Sequence, residues 1–77
     1  MKNAAKRRWE SKRRYYLVVL HQDLLGDYVI DRYWGGLFNQ LGGHDTEYVS
    51  SLDHGLQVLD EIDKLRVSRK YQMVSSA

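Results

Sequence analysis

The chain has 77 residues without Cys or Pro, 43% hydrophobic and 29% charged, and a formal net charge of +2. That length allows one small domain, and the missing cysteines exclude a disulfide-stapled fold and thiolate metal sites. The longest apolar run, Tyr15 to Leu20, is too short to cross a bilayer, and no signal-peptide pattern opens the chain, so a folded cytoplasmic protein without membrane contact is expected.

Charge is unevenly placed. Residues 1–14 hold Lys2, Lys6, Arg7, Arg8, Lys12, Arg13 and Arg14 against Glu10, whereas the remainder has 5 basic and 9 acidic residues. The pattern predicts a basic, flexible N-terminal arm over residues 1–13 on a mildly acidic body, an arrangement suited to gripping polyanions. Within the arm, Trp9 can stack on bases while Arg7, Arg8, Lys12 and Arg13, with Arg14 just beyond, hold phosphates.

Arg14 to Gln22 reads as a strand with Tyr15, Leu17, Val19 and His21 on one face and Tyr16, Val18 and Leu20 on the other. Both faces are largely apolar, which predicts a central position in a sheet. A hairpin turn at Asp23-Leu24-Leu25-Gly26-Asp27 follows, and Tyr28 to Tyr33 returns antiparallel. Next come Trp34-Gly35-Gly36, where the glycines leave an indole face without covering side chains and let the backbone approach a ligand. After a loop containing Phe38 and ending at Gly42-Gly43, His44 to Val49 reads as a third strand near an edge.

The helix signal is the cleanest. Ser50 can cap, Asp53 can bond back, and Leu52, Leu56, Leu59, Ile62 and Leu65 recur on a 3.6-residue period. Tyr71-Gln72-Met73-Val74 fits a short last strand, and residues 75–77 are expected to fray. The expected fold is therefore α+β, a small antiparallel sheet of three to four strands with one amphipathic helix packed on one face. The body is a single domain over residues 14–74.

The order Tyr15-Tyr16-x-Val18, Gly26-x-Tyr28-x-Ile30-x-Arg32-x-Trp34-Gly35, Gly42-Gly43, a Ser-led helix and a closing Tyr71 resembles the WGR domain. That family occurs in poly(ADP-ribose) polymerases and as small stand-alone bacterial proteins, and the Asp23-Leu24-Leu25-Gly26 turn is similar to the stand-alone type. The resemblance implies a DNA-binding or protein-interaction module without catalysis of its own. In the polymerases the motif Trp packs against sugar at a DNA end, which implies that role for Trp34, and Arg32 matches a basic residue just upstream. The chain departs from the family at Gly36, which stands where the motif Arg would be, and at Lys70, which replaces a glycine before the closing Tyr.

No triad, metal-ligand spacing or phosphate-binding loop is present, so no enzyme activity, metal or cofactor is expected. Two function classes follow. One is sequence-tolerant nucleic-acid binding, DNA ahead of RNA, through Trp34, Arg32, Arg14, Arg13, Lys12, Trp9, Arg8 and Arg7. The other is a protein partner or homodimer engaged through an apolar patch of Leu24, Leu25 and Phe38.

Overall fold

A computed structural model describes residues 3–77. The elements in chain order are β1 (Asn3–Glu10), β2 (Arg14–Gln22), β3 (Tyr28–Gly36), β4 (Gly42–Val49), α1 (Leu52–Ser68) and β5 (Gln72–Ser76). The strands form one antiparallel sheet in the order β4-β3-β2-β1-β5, with β2 at its centre and β4 at an edge. The class is α+β as expected, with five strands in place of three to four. No helix among the described residues is long and apolar enough to cross a membrane.

The extra strand is the stretch read as a flexible arm. Its first two residues, Met1 and Lys2, lie outside the described residues, but residues 3–10 are β1, paired along their length with β2. Strand geometry sends Ala5, Arg7 and Trp9 to one face and Lys6 and Arg8 to the other. Ala5 and Trp9 join Val18, Leu20, Ile30, Val49 and Leu59 in the core, and the basic residues between them fill the wetter positions. Trp9 is fully buried, and its Nε1–H donates to the Asp63 carboxylate at 2.8 Å. So small a chain has little core to spare, and an indole contributes more apolar area in the sheet than in a solvated arm.

The end of the chain is also ordered by pairing. Arg8 opposes Ser75 and Arg7 opposes Ser76, while Lys6 and Ala77 exchange main-chain hydrogen bonds of 2.8 and 2.7 Å. The short last strand expected at 71–74 is present and extends to Ser76; residues 75–77 were expected to fray as a chain end, but bonds to β1 hold them although every β5 side chain is exposed.

Helix α1 starts one residue later than the Ser50 cap expected. The Ser51 hydroxyl accepts from the His54 N–H at 3.1 Å, and His54 Nδ1 accepts from the Ser50 N–H at 3.2 Å. These bonds satisfy donors that a helix start leaves free. The helix packs closely on β2 at Gly55, where a Cβ would stand 2.7 Å from Leu20 Cδ1. Leu59 is buried, but Leu65 at the end of the predicted stripe is 45% exposed. Asp63 and Arg66 turn toward the sheet in its place, one bonded to Trp9 and the other stacked on aromatic rings.

Candidate functional site

The site grows from the glycine corner between β3 and β4. Register places Trp34 opposite Tyr16 on one side and Gly43 on the other, with Gly36 opposite Arg14. A Cβ at Gly43 would stand 2.9 Å from Trp34 Cζ2, so the indole lies across a bare stretch of β4. Tyr16 flanks it with nearly parallel planes, 16° apart and 6.3 Å between centroids. Trp34 nevertheless keeps 37% of its surface exposed, as the Trp-Gly stretch predicted.

A groove of about 810 Å³ opens beside this indole, lined by Arg13, Arg14, Tyr15, Tyr16, Gly35, Gly36, Asn39, Asp45, Arg66 and Tyr71 among others. The β1–β2 turn is fixed by the Ser11 N–H to the Arg14 carbonyl at 2.9 Å and the Arg14 N–H to the Ser11 hydroxyl at 3.2 Å. The Leu37 N–H donates to the Arg13 carbonyl at 2.8 Å and ties this basic turn to the glycine corner. No carboxylate pairs with Arg13 or Arg14 among the described residues. The missing side chain at Gly36 leaves room that the Asn39 side chain fills.

The far wall comes from the end of α1. Arg66 lies 4.4 Å over the Tyr16 ring and 5.2 Å from the Tyr71 ring centre. Its posture follows from how the helix stops. The Tyr71 N–H reaches back to the Arg66 carbonyl at 2.9 Å and the Lys70 N–H to the Val67 carbonyl at 3.1 Å. This is a Schellman termination, with Lys70 at φ +70° where glycine is favoured. Burial pushes the Tyr16 phenol above its usual pKa, opposed by the positive charges of Arg32 and Arg66, so the ring stays neutral under Arg66.

Of the eight residues expected to meet nucleic acid, three line the groove: Trp34, Arg13 and Arg14. Lys12 is exposed on the same turn. The others are engaged elsewhere. Trp9 is core and has no free face for a base. Arg7 is 3.0 Å from Asp60 on the helix, and Arg8 is 2.9 Å from Glu10 while lying 4.6 Å over the Tyr15 ring. Arg32 is closed off by Asp45 at 3.3 Å and by Glu47. Burial works against its charge, but bonds to the two carboxylates outweigh that cost and raise its pKa above the usual guanidinium range.

The apolar patch expected of Leu24, Leu25 and Phe38 does not exist as one surface. All three are exposed, at 91%, 88% and 83%, but the leucines cap the β2–β3 turn while Phe38 sits in the β3–β4 loop. Strand β3 separates them by its full length, about 30 Å at strand rise.

Sequence reasoning missed Arg66 as a site residue, although it stands seven residues after Leu59 and four after Ile62, on the buried stripe. Among the described residues no group of three or more His, Cys, Asp or Glu is placed to hold a metal ion. Comparison with protein-family models, with curated proteins and with solved structures gives no match.

Proposed function

We propose that this chain is a non-catalytic, sequence-tolerant nucleic-acid-binding module of WGR-like type, with DNA as ligand and the groove beside Trp34 as its contact surface. The observation that carries this reading is a partly exposed indole at the rim of a groove lined by Arg13 and Arg14, neither of which has a carboxylate partner among the described residues. Mechanically, the guanidinium groups displace counterions from phosphates while Trp34 packs on a sugar or base. The absent motif Arg at Gly36 is offset because Arg14, its cross-strand partner, supplies a guanidinium at the same corner.

The test is a salt-titrated fluorescence assay with short duplex and single-stranded oligonucleotides. Trp9 is sealed in the core, so quenching reports on Trp34. Trp34→Ala removes the reporter, so its binding is followed by anisotropy of a dye-labelled oligonucleotide, and it is expected to weaken binding about tenfold or more, the scale of one stacked base. Replacing both Arg13 and Arg14 by Gln is expected to reduce the slope of log K against log salt by about 1.8. No detectable binding to blunt or nicked duplex at low salt would reject the reading.

A second reading, docking of a protein partner or homodimer, is favoured by the Leu24-Leu25 turn, whose leucines are almost wholly exposed. Phe38 belongs to a separate surface beside the groove. Leu24→Asp breaks a complex on this reading and leaves oligonucleotide binding unchanged, which size-exclusion profiles and the assay above distinguish.

A further inference from the structure

We infer that Arg66 is the groove's phosphate seat, the side chain that takes two oxygens of a phosphate group while Trp34 takes the ring beside it. The inference rests on the proposed function only for the source of that phosphate; the seat itself follows from the state of the guanidinium.

Among the described residues no carboxylate pairs with Arg66, whereas Arg7 and Arg8 each have one and Arg32 has two. Its Nε is buried and has no hydrogen-bond partner. An unsatisfied buried donor on a charged group is costly and calls for an acceptor. Tyr16 and Tyr71 stack against the guanidinium, and neither ring supplies a counter-charge. The Schellman termination fixes the backbone on which Arg66 stands and the two rings hold its guanidinium, so less side-chain freedom remains to be lost when a ligand arrives. A planar fork without a protein acceptor matches a phosphate in two-point contact, which an ammonium cannot reproduce. Arg14 lines the same groove and adds a second positive charge. Asp45 is the acidic group in the lining, and it is already bonded to Arg32.

The test follows the Arg66 Nε–H by NMR in the full chain, titrated separately with inorganic pyrophosphate and with a short blunt duplex. The expected result is a shift of that resonance with both probes and slower exchange with water. In the binding assay Arg66→Gln is expected to raise Kd about tenfold and lower the salt slope by about 0.9, the share of one phosphate contact. Arg66→Lys keeps the slope and loses affinity, since it retains the charge without the fork. Arg69→Gln, at the helix cap outside the groove, stays within about twofold. A duplex that binds while the Arg66 resonance stays silent overturns the seat and leaves the Trp34 reading standing. A shift with pyrophosphate without duplex binding supports the seat and sinks the nucleic-acid reading. Silence with both probes overturns the seat on the unaltered protein, independently of whether any variant folds.

Discussion

Two regions on the helix-bearing side of the sheet each hold an arginine, and they have opposite fates. On β3, Arg32 is locked between Asp45 and Glu47, and its charge is consumed in joining β3 to β4. At the end of α1, Arg66 rests on Tyr16 and Tyr71 without a counter-charge. The first was the one expected to bind from its place in the motif. The difference teaches that a guanidinium becomes available through what its neighbours lack. On β4, Asp45 and Glu47 fall on the same face as Arg32, whereas the aromatic neighbours of Arg66 hold it without neutralising it.

Removing the support of the open region gives the largest effect. Trp9→Ala is expected to cost about 3–5 kcal/mol, because it opens a cavity under Tyr16 and strips Asp63 of its donor. Urea denaturation measures it, and a loss below about 0.5 kcal/mol would return residues 3–10 to the status of a solvated arm. Truncating residues 1–13 is then a folding experiment and says little about nucleic acid.

The closed region can be converted into the open kind. Asp45→Asn with Glu47→Gln releases Arg32 and removes two negative charges beside the groove. Oligonucleotide affinity is expected to rise about tenfold, and the salt slope to steepen by about one contact. Unchanged affinity at low salt would show that Arg32 is out of reach of the ligand.

The smallest effect sits at the helix stop. Lys70 adopts φ +70°, a conformation that costs a side-chain-bearing residue about 1–2 kcal/mol, part of which glycine returns as chain entropy in the unfolded state. Lys70→Gly is therefore expected to stabilise the fold by about 0.5–1 kcal/mol in thermal or urea unfolding. A destabilised variant would mean that the lysine contributes contacts outweighing its backbone strain.

Much of the scaffold was legible because period and burial agree. Strand β2 alternates apolar residues on both faces and is central; β4 carries charges and lies at an edge. The helix stripe was right from Leu56 through Ile62; Leu52 at its start is exposed, and it failed at Leu65 because tertiary contacts with Trp9, Tyr16 and Tyr71 draw in Asp63 and Arg66. Strand β1 was hidden because a run of basic residues outweighs two apolar ones, Ala5 and Trp9, spaced four apart on one face. The exposed Trp34 was readable from its glycines. The rest of the groove was not, since it joins Arg13 and Arg14 to Arg66, which only the folded sheet brings near them.

The outer ladder has a kinetic consequence. Arg7 pairs with Ser76, so β1 gains its second neighbour only after the chain has been made through β5. During synthesis the hairpins of β1, β2, β3 and β4 can close as they emerge, but Trp9 stays without its roof until α1 and β5 have left the ribosome. Until then the nascent chain displays an indole among arginines, a transient surface that the finished protein conceals.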